Sequence, residues 1–206
     1  MTGLPGRVLP CGERAVLVEL DRADDVLGLQ AALEQKPLPG VIELVPAART
    51  LLVRFDPQWT SLSRIRESLL GVSPVDIPPV AADEVVVPVV YDGEDLADVA
   101  SETGLTVAEV VSRHSAGGYV SAFCGFAPGF AYLTGLDPVL HVPRRSSPRT
   151  RIPAGSVAIA GEYSSVYPSA SPGGWRLIGR TSLPVWDVDR ARPNLLAPGT
   201  RVRFSG

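Results

Sequence analysis

Three stretches of this sequence concentrate side chains that could do chemistry. In Gly125-Phe-Ala-Pro-Gly-Phe-Ala-Tyr-Leu133, two phenylalanines and a tyrosine surround Pro128-Gly129, a pair that suits a type II turn with glycine at the positive-φ position. Such a turn either presents aromatic faces, with Phe130 and Tyr132 shaping a pocket, or tucks its rings into the core. Arg144-Arg-Ser-Ser-Pro-Arg-Thr-Arg151 carries four arginines and no acid. Their mutual repulsion asks for an anion, so Arg144, Arg145, Arg149 and Arg151 are expected to meet a substrate carboxylate, a phosphate or the acidic surface of a partner, unless the loop is simply solvated. In Ser171-Pro-Gly-Gly-Trp-Arg-Leu-Ile-Gly-Arg-Thr181, Gly173 and Gly174 permit close backbone approach and Trp175 adds a ring for the pocket wall. Arg176 and Arg180, an even offset apart, share one face if the segment is a strand, and Arg180 joins the expected binding set.

No residue is a convincing general base. Only His114 and His141 could activate one of the serines Ser146, Ser147, Ser164 or Ser165. His114 ends a predicted helix, where a half-buried capping role is the plain expectation, and His141 precedes Val142-Pro143 as an ordinary strand residue. The phosphate-binding loop, the dinucleotide fingerprint, the nucleophile elbow and the paired-histidine zinc motif are all missing. Two histidines and two cysteines, Cys11 and Cys124, provide neither a metal motif nor a disulfide scaffold, so no metal site is expected and both thiols are read as reduced and structural.

These stretches need a scaffold, and 206 residues supply one large or two small domains. Hydrophobic residues make up 45% and charged residues 20%, which is ordinary globular usage, and no run approaches the ~20 apolar residues of a membrane span. The N-terminus lacks a leader pattern, so the expected compartment is the cytoplasm. The net charge of −3 conceals a split: Met1 to Pro143 holds 9 basic and 19 acidic residues, and Arg144 to Gly206 holds 10 basic and 3 acidic ones. A cationic last third favours a small anion or an acidic partner over nucleic acid, which draws more basic chains with interleaved aromatics.

Residues 1–80 read as a small α+β domain of βαββαβ order, ferredoxin-like in pattern. Its strands are Arg14 to Leu20, Val41 to Val45 and Thr50 to Phe55, with a weak last one near Val75 to Ile77. Its helices carry Val26, Leu29 and Leu33, then Leu62, Ile65 and Leu69. Residues 81–206 open with Glu84 to Tyr91, a strand that Pro88 marks as an edge or a bulge. Two helical segments follow, the second with a Thr106-x-x-Glu109 capping box. Short apolar runs between Pro/Gly-rich turns then indicate a β-barrel or sandwich.

The order and spacing of five motifs carry a resemblance. They are Gly125 to Leu133, Leu136 to Arg145, Pro148 to Gly161, Tyr167-Pro168, and Ser171 to Trp175 with Ile178-Gly-Arg-Thr181. Together they resemble the kinase-inhibitor/allophanate hydrolase subunit 1 family, the carboxyltransferase subdomain C/D group. That family includes the B subunit of 5-oxoprolinase and one half of the carboxyltransferase module of urea carboxylase. The resemblance implies a cyclophilin-like β-barrel after a small α+β domain, and it adds Tyr167 to the expected binding set. It further implies work as one member of an ATP-dependent complex that opens the lactam of 5-oxoproline to L-glutamate, inactive alone. The partners would be the related C subunit and a lactam-hydrolase subunit, which would supply the missing base. Two other functions are shared across the family: a non-catalytic inhibitor of a sensor histidine kinase, and half of a urea-type biotin-dependent carboxyltransferase.

Overall fold

The computed structural model describes Leu4 and residues 6–22, 24–75 and 84–206. The chain divides into two compact units, Met1–Val80 and Ala81–Gly206.

In the first unit, β1 (Gly6–Pro10), β2 (Ala15–Leu20), α1 (Asp24–Gln35), β3 (Val41–Pro46), β4 (Thr50–Phe55) and α2 (Leu62–Leu70) form an antiparallel sheet of order β1-β2-β4-β3 with two helices. Alternation puts Val16, Val18 and Leu20 of β2, and Leu51, Val53 and Phe55 of β4, into the core. Packed on them, α1 buries Val26, Leu29 and Leu33 and α2 buries Ile65 and Leu69. Ser61 caps α2 by accepting from the Arg64 N–H at 3.4 Å. Strand β1 is missing from the sequence expectation because prolines flank it and only Val8 is buried. The expected strand at Val75 to Ile77 lies mostly outside the described residues, and Val75 itself is not in a strand.

The second unit begins with β5 (Val85–Pro88), α3 (Leu96–Thr103) and α4 (Val107–Ala116), the last held by the full Thr106/Glu109 capping box. Then follow β6 (Tyr119–Cys124), β7 (Ala131–Thr134), β8 (Arg149–Ile152), β9 (Ser156–Ala160), β10 (Tyr163–Val166), β11 (Ser171–Gly173), β12 (Arg176–Arg180) and β13 (Arg201–Ser205). Seven strands make a mixed sheet of order β12-β9-β10-β7-β6-β13-β5, and β8 pairs with β11. As Pro88 demands, β5 lies at an edge, where a missing N–H breaks no ladder. The sheet curls until Val90, just past β5, forms an antiparallel bridge to Arg180 at the end of β12, so the two edges meet. Strand β9 is buried along its whole length.

One polar chain runs through this interior. His114, at the end of α4, is fully buried and not half-buried as expected. Its Nδ1 lies 2.8 Å from Tyr91 Oη and its Nε2 lies 2.9 Å from Ser164 Oγ. All groups are satisfied when Tyr91 donates to Nδ1, Nε2–H donates to Ser164, and Ser164 donates to Ala158 O. Burial holds the imidazole neutral, its pKa pushed down to about 3.

Candidate functional site

The connection between β6 and β7 is two successive turns. Ala127 N–H donates to Gly125 O at 2.8 Å across Phe126, whose φ is +70°, which makes a γ-turn of the strained, positive-φ kind. Phe130 N–H then donates to Ala127 O at 3.0 Å across Pro128-Gly129, with Gly129 at φ +79° as a type II turn requires. A Cβ on Gly129 would also lie 2.5 Å from Trp186 Cβ, so glycine is required twice over.

Behind this loop the expected pocket rings pack on one another. Phe130 meets Tyr167, Tyr132 and Trp175 edge-on at centroid distances of 5.1 to 5.4 Å, and Tyr132 stacks on Phe123 at 4.3 Å. Phe130, Tyr167 and Trp175 are buried and Tyr132 is half-buried, so most of the rings proposed to line a hollow fill it instead. Gly173 serves this packing, because a Cβ there would meet Tyr167 Oη at 2.4 Å. Gly174 has ordinary room, and its carbonyl accepts from Arg145 N–H at 2.7 Å. The ring left outside is Phe126, 62% exposed, which sequence reasoning did not single out. Its neighbours predict nothing unusual, and only the positive φ sets it apart.

The arginines separate into two groups. Asp95, just before α3 and 1% exposed, accepts from Arg145 Nη1 (2.6 Å), Arg149 Nη1 (2.8 Å), Arg149 Nη2 (2.9 Å) and Leu177 N–H (2.7 Å). Those four donors match the capacity of a carboxylate. Burial pushes the Asp95 carboxyl up, but the bonds from Arg149, Leu177 and Arg145 outweigh it and hold the group below the ordinary aspartate value. Arg149 also donates to Glu94 at 3.0 Å, Arg180 to Asp92 at 2.8 Å, and Arg176 to Glu102 at 2.9 Å. Arg145, Arg149 and Arg180 thus find their anion within the chain. Arg144 sets its guanidinium 6.0 Å from the centroid of the Trp175 ring, and Arg151 is exposed; among the described residues no carboxylate pairs with either.

His114 has no nitrogen free to act as a base, whereas His141 is exposed and, among the described residues, bonded through one nitrogen only. Both ring nitrogens of His114 are occupied in the interior, and His141 Nε2 lies 3.2 Å from Leu136 O. Among the described residues no group of three His, Cys, Asp or Glu side chains is placed to hold a metal ion, and no helix is long and apolar enough to cross a membrane. Cys11 is exposed, contrary to the structural role expected for it, whereas Cys124 is half-buried with Asn194 Nδ2 at 3.2 Å from its sulfur.

The family model described as carboxyltransferase domain, subdomain C and D, matches residues 6–196. The B subunit of 5-oxoprolinase from Escherichia coli O157:H7 is 40% identical over 201 residues, covering 94% of this chain and 92% of that protein. Among solved structures, TTHA0988 is similar with a TM-score of 0.81 and 38% identity over 93% of this chain. The match spans 40% of that longer protein. The urea carboxylase of Kluyveromyces lactis gives a TM-score of 0.74 at 19% identity, over all of this chain and 23% of that one, a likeness of fold alone.

Proposed function

Since this chain belongs to the family of carboxyltransferase domains, subdomain C and D, we propose that it is the B subunit of an ATP-dependent 5-oxoprolinase and opens the lactam of 5-oxoproline to L-glutamate with companion subunits in the cytoplasm. The observation that carries this reading is the 40% identity to a 5-oxoprolinase B subunit across nearly the whole of both chains. In the same reading the first unit is ferredoxin-like and the curled sheet is a cyclophilin-like barrel. The kinase-inhibitor and urea-type readings draw no comparable support, because the urea carboxylase likeness extends to fold only.

The chemistry explains the need for several subunits. A lactam is resonance-stabilised, so transfer of the ATP γ-phosphoryl group to its oxygen, with ADP leaving, makes the ring carbon electrophilic enough for water to add. The C–N bond then breaks to free the amine, and a second water hydrolyses the resulting acyl phosphate to L-glutamate and phosphate. The nucleotide does not fit Arg145 and Arg149, which hold the buried Asp95 carboxylate, and Arg180 already pairs with Asp92 at the surface. Arg144 and Arg151, with Gly174 beside Trp175, are the groups left for an anion or an acidic surface. The base that activates water is assigned to a companion subunit, since His114 is sealed in the core with both ring nitrogens bonded and, among the described residues, no carboxylate hydrogen-bonds His141 to orient it.

The test is glutamate release from 5-oxoproline. The purified chain should release none with ATP, and the mixture with its companion subunits should do so. ATP-dependent release by the chain alone would contradict the assignment of the base, and an inactive complete mixture would contradict the function.

A further inference from the structure

We propose that Phe126 is the anchor by which this chain docks on another subunit of its complex, entering an apolar pocket rimmed by carboxylates. The inference rests on the oxoprolinase reading for the existence of companion subunits and goes beyond it in naming the surface.

Two costs meet at this residue. Phe126 has the one positive φ among the described non-glycine residues, and a bulky side chain there is strained. Its ring is 62% exposed although every other phenylalanine is buried. In the isolated chain a glycine would remove both costs. A polypeptide partner recovers them, because a rigid aromatic held out on a fixed loop is what dominates binding energy at protein interfaces.

The ring is held in place. It rests edge-on against buried Phe130 at 5.2 Å and Tyr167 at 6.3 Å, and the loop beneath is closed by the Gly125 N–H to Phe130 O bond of 3.1 Å. Little ordering entropy is left to lose on docking. With Phe130, Tyr167 and Trp175 packed behind it, Phe126 is a knob on a filled base, which suits insertion into a partner better than enclosure of a small substrate.

Charge fixes the chemistry of the partner. Arg144 lies over Trp175, which contacts Phe130, which contacts Phe126, so the ring cluster that carries the knob also carries an exposed cation without a carboxylate of its own among the described residues. An acidic rim would complement it and speed encounter.

The experiment uses the full chain with its companion subunits and measures melting, assembly affinity and the kinetics of the assembled enzyme for wild type, Phe126→Gly, Phe126→Ala and Arg144→Glu. Phe126→Gly relieves the backbone strain, so it should melt close to wild type while assembly weakens by about 30-fold or more, the loss typical of a hot spot. Phe126→Ala should weaken assembly similarly, and Arg144→Glu should slow association in a salt-dependent way. At saturating companion concentration, KM and kcat should return to wild-type values for both Phe126 variants. Unchanged assembly with raised KM would make Phe126 a substrate contact and overturn the proposal. Unchanged assembly with a large loss of melting temperature would make it a packing residue and overturn it equally. A wild-type chain that neither assembles nor gains activity would overturn the oxoprolinase reading itself, whereas normal wild-type assembly with unaffected variants would overturn only the anchor.

Discussion

The cationic stretch Arg144 to Arg151 and the aromatic loop Gly125 to Phe130 resemble each other in sequence, each an unusual density of one chemistry, yet the chain answers them differently. Two of the four cationic side chains turn inward, Arg145 and Arg149 converging on buried Asp95 with the Arg145 N–H tied to Gly174, while Arg144 and Arg151 stay exposed. The aromatic loop buries Phe130 and turns Phe126 outward on a strained turn. A run of like charge signals a bound ligand only when no counter-charge lies elsewhere in the chain. An exposed ring on a backbone it would not choose is the stronger sign of something still to be bound.

The contrast breaks most readily at Asp95. Asp95→Ala leaves the partly buried Arg145 guanidinium unpaired, Arg149 with only exposed Glu94, and the Leu177 N–H without its acceptor, and should destabilise the second unit by about 3 to 5 kcal/mol. Denaturant unfolding checks it, and a loss below about 1 kcal/mol would return those arginines to the solvent.

On the aromatic side, Gly129→Ala combines a φ of +79° with a clash on Trp186 and should cost about 2 kcal/mol or more. Thermal melting of this variant reads the turn directly. A shift within error would mean that the loop relaxes and does not hold Phe126 rigidly.

A pH-dependent effect comes from the buried histidine His114, packed against Tyr119 and Phe204. His114 has a pKa near 3 when folded against an ordinary value of 6.5, so the unfolded chain binds the extra proton first. Its contribution is fully present above pH 6.5 and is lost as pH falls from 6.5 towards 3. Asp95 loses its contribution only below the usual aspartate range. Stability between about pH 6.5 and 4 should therefore fall in the wild type and fall less in His114→Gln, which does not titrate. Equal slopes would place the acid-sensitive group elsewhere.

Much of the scaffold was legible because its signals are local. The Thr106/Glu109 box, the alternation through β2 and β4 and the positive φ at Gly129 each depend on residues a few positions apart. What was hidden depends on distance. Strand β10 carries Ser164 and Ser165, whose partners His114 and the Ala131 carbonyl lie 50 and 34 residues away in the chain. The counter-ion of the cationic loop lies 50 residues before Arg145 and 54 before Arg149, beyond any window of local charge. Phe126 stands inside a conspicuous aromatic motif, but a side chain's exposure and its backbone angle leave no mark on its own sequence neighbourhood.

Hydroxyl-radical footprinting of the chain, free and assembled with its companion subunits, tests the inward and outward assignment together. Phe126 should be labelled strongly in the free chain and protected in the complex, while Phe130 and Trp175 stay weakly labelled in both. Equal labelling of Phe126 in the two states, or strong labelling of Phe130 and Trp175 in the free chain, would contradict it.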